Sequence, residues 1–103
     1  MEPTFDRDGY PSEETLRTIA TWEAWDKEGW FEFIRSAWYY PEYFTNNDGK
    51  ITMSTGGWSG NEDIISAMEE NRVLWAFIWA SSRRGGHYEF DITNEPRMES
   101  NKV

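Results

Sequence analysis

Between Pro11 and Tyr40, apolar side chains recur every three or four residues, the period of a helix with one buried face. Pro11-Ser12-Glu13-Glu14 opens the first helix, with Ser12 as N-cap and two acids in the turn where the helix dipole favours negative charge. Leu16, Ile19, Ala20 and Trp22 form its apolar stripe. Glu23 falls in the same arc, where it needs a partner or an exit to water and reads as a partly buried structural carboxylate. Asp26-Lys27-Glu28-Gly29 interrupts the period, and Trp30 to Tyr40 resumes it. Trp30, Phe33, Ile34, Ala37 and Trp38 share one side, Glu32, Arg35 and Ser36 the other, until Pro41 stops the helix for want of an amide hydrogen. Two helices across a short polar break predict an antiparallel αα-hairpin.

Beyond Pro41 the pattern changes. Asn46-Asn47-Asp48-Gly49 separates Tyr43-Phe44 from Ile51-Thr52-Met53 and supplies the chemistry of a hairpin turn. The same residues partly resemble a calcium loop. With Gly49 at the loop glycine, however, Phe44 stands where the first carboxylate belongs and Thr55 where the bidentate Glu belongs, so calcium is excluded. Lys50 to Ser54 reads as a short strand. Ser59-Gly60-Asn61-Glu62 has capping-box spacing and starts a third helix, with Ile64, Ile65, Ala67 and Met68 buried. Val73 to Ala80 is nearly unbroken apolar sequence of strand length, which predicts a central strand. A turn at Gly85-Gly86 then pairs it with the alternating strand His87 to Ile92. That register puts Trp75, Phe77 and Trp79 on the face of Tyr88, Phe90 and Ile92, with Ser82, Arg84, His87 and Glu89 opposite.

The elements add up to an α+β domain: an αα-hairpin and a third helix packed on a small antiparallel β-sheet. Residues 1–92 make a single globular domain, 1–10 being an extended arm, and 93–103 a flexible polar tail. Seven Trp, six Phe and five Tyr in 103 residues offset the low aliphatic content. The chain lacks Cys, so disulfides and thiolate chemistry are excluded. Its N-terminus has no apolar core of signal-peptide length, and its longest apolar run is too short for a membrane span, which predicts a soluble protein of the cytoplasm. A net charge of −9 argues against direct nucleic-acid binding and for a basic partner surface. Acidity that serves only solubility is the plainer alternative.

Little here suggests catalysis. One His cannot supply a two-imidazole metal site, and His87, Glu89 and Asp91 make only a loose ligand set, so no metal or cofactor is expected. Ser59 is better explained as a cap than as a nucleophile. Two stretches concentrate recognition chemistry: Gly56-Gly57-Trp58-Ser59-Gly60-Asn61-Glu62 and Ser81-Ser82-Arg83-Arg84-Gly85-Gly86-His87-Tyr88. If the hairpin tip folds toward the glycine loop, Trp58, Ser59, Asn61, Arg83, Arg84 and His87 form a site for a small anionic, nucleotide-like ligand.

These two stretches, with Asp8-Gly9-Tyr10-Pro11-Ser12-Glu13-Glu14-Thr15-Leu16, resemble small acidic proteins of bacteriophages and related mobile elements, a group without an established activity. The resemblance spans most of residues 8–92. It implies a bacterial host cell and carries over no functional residues. Small acidic phage proteins include inhibitors of host defence such as anti-CRISPR proteins. The leading expectation is therefore a non-catalytic inhibitor that sets Glu62, Asp63, Glu69 and Glu70 against the basic groove of a host defence or nucleic-acid-handling protein. The alternative is the small-ligand binder.

Overall fold

A computed structural model describes residues 2–93 and shows an α+β fold. In chain order come α1 (Glu13–Ala20), α2 (Lys27–Ala37), a 3-10 turn (Pro41–Tyr43), β1 (Phe44–Asn47), β2 (Lys50–Ser54), α3 (Ser59–Glu70), α4 (Arg72–Ile78), β3 (Trp79–Arg83) and β4 (His87–Asp91). The four strands form one antiparallel sheet in the order β1-β2-β4-β3. The core fills the space between the sheet and the helices. Phe31 of α2 meets Phe44 and Phe90 of the sheet, while Ile19, Trp30, Ile34, Ile64, Met68 and Leu74 close the helical side.

The first helix starts as the sequence predicts, with the Ser12 hydroxyl accepting from the Thr15 amide at 3.1 Å. It ends at Ala20, however, so Glu23 leaves the apolar arc and is exposed rather than partly buried. The break Asp26-Lys27-Glu28-Gly29 is the start of α2. The Asp26 carboxylate caps the Gly29 amide at 3.0 Å and accepts from the Trp22 indole at 3.1 Å. Any side chain at Gly29 would overlap that carboxylate. Nor is the N-terminal segment an extended arm. It turns back at Asp6–Gly9, pairs Phe5 with Pro11, and ties Thr4 to the Thr15 hydroxyl at the head of α1.

The Asn-Asp-Gly turn forms as expected. Asp48 and Gly49 both take positive φ, at 55° and 91°, as a two-residue hairpin of this type requires. The apolar run from Val73 behaves differently from its expectation. Most of it is α4, and what remains forms β3 at the edge of the sheet, not its centre. Leu74 and Ile78, four apart, are buried, which is a helical period. Asn71 supplies the start of the helix: its Oδ1 accepts from the Leu74 amide at 3.5 Å, and its Nδ2 donates to the carbonyls of Ile19 and Trp22. Trp75 still packs on Tyr88 and Phe90, at 6.3 and 5.3 Å between ring centroids, but from a helix. Phe77 is exposed.

The β3–β4 turn is one residue longer than a Gly85-Gly86 pair. Arg83 lies opposite His87, leaving Arg84, Gly85 and Gly86 in the loop, so Ser82 faces with Tyr88 and not with His87. An irregularity between Trp79 and Ser81 restores the parity of Trp79 opposite Phe90. The tail expected at 93–103 lies, after Thr93, outside the described residues.

Candidate functional site

The loop between β2 and α3 carries the Gly-Gly-Trp-Ser-Gly stretch and is pinned at both ends. Thr55, buried, donates its amide to the Gly86 carbonyl at 3.0 Å, and its hydroxyl accepts from the Gly57 amide at 3.2 Å. The second recognition stretch therefore meets the residues just before the first, at Thr55 and Gly86 and again where Ser54 Oγ and His87 Nδ1 lie 2.7 Å apart. Their side chains do not converge into one ligand site. Asn61 is fully buried: its Oδ1 accepts from the Tyr39 amide at 3.0 Å, and its Nδ2 donates to the Tyr39 and Thr55 carbonyls at 2.9 and 3.2 Å. Arg83 pairs with Glu89 at 3.4 Å, and Ser59 donates to the Tyr10 hydroxyl at 3.0 Å. Of the six residues, Trp58 and Arg84 make no side-chain hydrogen bond or ion pair with the described residues. Ser59 is also not the N-cap of α3. Trp58 takes that position, without a side-chain bond, and the predicted capping box is not formed.

Trp58 belongs to a different assembly, one the sequence does not announce. Its ring lies 4.9 Å from Tyr10 and 4.8 Å from Tyr39, measured between centroids. Tyr39 continues to Tyr40 at 4.6 Å, and Tyr40 to Tyr43 at 5.4 Å. Each step is within the range of favourable aromatic pairs. Five rings from three segments thus make one surface ladder, with Tyr39 54% and Tyr43 45% exposed. The glycines supply its floor. A Cβ on Gly60 would overlap the Trp58 indole, and one on Gly56 would come within 2.7 Å of the Tyr40 ring. Gly56 further adopts φ of +65°, a conformation that disfavours other residues. Tyr40 itself is left-handed, with φ 66° and ψ 67°, which is strained for a bulky residue. The bonds from Asn61 to both backbone groups of Tyr39 hold the preceding residue in place.

The acidic candidates stand beside this ladder on α3. Glu62, Asp63, Glu69 and Glu70 are all exposed, and at about 100° per residue they occupy about one third of the helix circumference. None of the four is in an ion pair among the described residues. They divide into two rows. Asp63 and Glu70 border a groove of about 420 Å³ between α1 and α3, with Glu13, Arg17 and Ser66. Glu62 and Glu69 act on Tyr88 of β4, whose hydroxyl is pushed above its ordinary value by burial first, then by the charges of Glu69 and Glu62. No Lys, Arg or His occurs from Ile51 to Asn71.

The loose ligand set on β4 is dispersed. His87 faces Ser54, Glu89 bonds Ser81 and Arg83, and Asp91 bonds Thr93 and pairs with Lys50 at 4.0 Å. Hydrogen bonds from the Thr93 hydroxyl and amide hold the Asp91 carboxyl below its ordinary value. Among the described residues, no three His, Asp or Glu side chains are grouped as a metal would need. No helix among them is long and apolar enough to cross a membrane. Compared with family models, curated proteins and solved structures, the chain finds no match in any of the three.

Proposed function

We propose that this is a non-catalytic binding protein that covers a basic surface of a host defence or nucleic-acid-handling protein, in the manner of an anti-CRISPR inhibitor acting in the bacterial cytoplasm. The observation that carries the reading is the α3 face: four exposed carboxylates, none in an ion pair among the described residues, in a stretch of chain devoid of basic residues. Such a face presents negative charge in two rows along the helix, which favours encounter with a groove that otherwise takes up phosphates. The resemblance to phage proteins supplies the cellular setting. The small-ligand reading draws less support, because Asn61 is enclosed and Arg83, His87 and Ser59 are engaged elsewhere.

Affinity capture from the bacterial host, with native mass spectrometry of the purified protein, tests the reading. A nucleic-acid-handling protein should be captured, be released by salt, and be lost when Glu62→Gln, Asp63→Asn, Glu69→Gln and Glu70→Gln are combined. Capture unchanged by that combination removes the proposal. A co-purifying small mass that disappears with Arg84→Ala would instead favour the ligand site.

A further inference from the structure

Resting on the reading of a basic partner, we propose that the ladder Tyr10–Trp58–Tyr39–Tyr40–Tyr43 is the seat for arginine side chains of that partner. Three features point to a built recognition surface. The rings are fixed before any partner arrives, by Asn61 on the Tyr39 backbone, by the Ser59–Tyr10 hydroxyl bond, and by the space that Gly56 and Gly60 leave for the Tyr40 and Trp58 rings. Fixed rings lose little freedom on binding, which is where preorganised surfaces gain affinity. The composition, Tyr and Trp for contact area with Gly, Ser and Asn around them, is that of binding paratopes. The left-handed Tyr40 is the third feature, since strain in a bulky residue persists only where its surroundings hold it.

Charge selects the occupant. Glu42 lies between Pro41 and Tyr43, and Glu62 begins one turn beyond Trp58, its amide bonded to the Trp58 carbonyl at 3.1 Å. Between Ser36 and Asn71 the single basic residue is Lys50. The cation–π contact of Arg35 over Phe44, at 6.0 Å, lies off the ladder, whose Tyr39 and Tyr43 rings are exposed. Acids at the rim repel the phosphates of a stacked nucleotide and attract a cation. Of the two common cations, guanidinium is planar and weakly hydrated and stacks on aromatic faces, whereas ammonium keeps its water. The ladder therefore adds a preference for arginine to the charge attraction of α3.

The test uses two end-capped peptides of equal charge, tetra-arginine and tetra-lysine, titrated into isotopically labelled protein and followed by NMR. Tetra-arginine should shift the ring signals of Tyr39, Tyr40 and Tyr43 and the Trp58 indole, and should bind about fivefold more tightly than tetra-lysine, the equivalent of about 1 kcal/mol for an exposed cation–π contact. Combining Tyr39→Ala with Tyr43→Ala should bring the two peptides to equal affinity. Gly60→Ala, which displaces the Trp58 ring while deleting no aromatic group, should shrink the preference in a protein that stays folded. Equal affinities in the unaltered protein, or shifts confined to α3, would overturn the assignment. The arginine preference should survive neutralisation of the four α3 carboxylates, so its loss and the loss of partner capture are separate results.

Discussion

Two of the groups of touching aromatic rings in the molecule, one in the interior and one at the surface, are organised by different forces. The interior group joins Trp30, Phe31, Trp38, Phe44 and Phe90 at centroid separations of 5.3 to 6.4 Å, all of them buried. The ladder joins its five at 4.6 to 5.4 Å, with Tyr39 and Tyr43 exposed and the other three partly buried. Inside, removal of apolar area from water suffices, at about 25 cal/mol per Å². At the surface that gain is partial and the backbone must be held by polar bonds instead. Asn61 provides them at Tyr39, and Gly56 and Gly60 clear the room the rings need. An exposed aromatic array is therefore a property of the chain around it.

Removing the polar hold should break the contrast most strongly. Asn61→Ala leaves the Tyr39 amide and the Tyr39 and Thr55 carbonyls without their partner, and should cost about 3 kcal/mol on the scale of 1–3 kcal/mol for a buried unsatisfied group. Denaturant unfolding reads this as a lower midpoint at unchanged slope, with the ladder ring signals collapsing together. A cost near zero would mean that the rings hold the backbone, the reverse of the order given above.

A smaller effect lies within the interior group. Trp30 donates its indole N–H to the Ile19 carbonyl at 2.9 Å, whereas the Trp38 indole N–H is buried with no partner among the described residues. Trp30→Phe and Trp38→Phe remove similar volume. Trp30→Phe should be the more destabilising by about 1 kcal/mol, the net worth of a hydrogen bond, in paired unfolding measurements. Equal costs would show that even this polar bond is secondary to packing there.

The smallest effect belongs to Tyr88, which lies between the interior and the acidic face. Burial and the charges of Glu69 and Glu62 raise its hydroxyl above the ordinary value of 10.0, so the fold favours the neutral form. The linked stability is complete below the unfolded value and is lost as pH rises through the folded one. Glu69→Gln should lower the Tyr88 midpoint, and Glu62→Gln should lower it less, in an alkaline titration of ring-labelled tyrosine. An unchanged midpoint in Glu69→Gln would detach the α3 acids from the sheet.

Local chemistry was the part of this fold that the sequence made legible. Ser12 before two acids marked α1, Asp48-Gly49 marked the first hairpin, and the alternation from His87 marked β4. The segment from Val73 was ambiguous because a run apolar at nearly every position carries both periods at once. The better signal was Asn71, a helix cap whose third following residue, Leu74, is buried. Capping-box spacing misled at Ser59, where the hydroxyl bonds Tyr10 instead. The acids of α3 could be read directly, since a helix fixes which residues share a face. The ladder could not, because Tyr10, Tyr39 and Trp58 become neighbours only through tertiary structure. Gly56 and Gly60 flanking a tryptophan hinted at a close approach without naming what approached.

Thr55 links the surface array to the most regular part of the molecule. One buried residue bonds the β3–β4 turn through Gly86, the loop through Gly57 and α3 through Asn61. Although it falls in a connection rather than a strand, its amide is closed by a bond that continues the sheet. The solvent-exchange lifetime of that amide is thus tied to opening of the sheet, not to the faster fraying of a surface loop. The aromatic surface accordingly moves with the slow clock of the sheet beneath it.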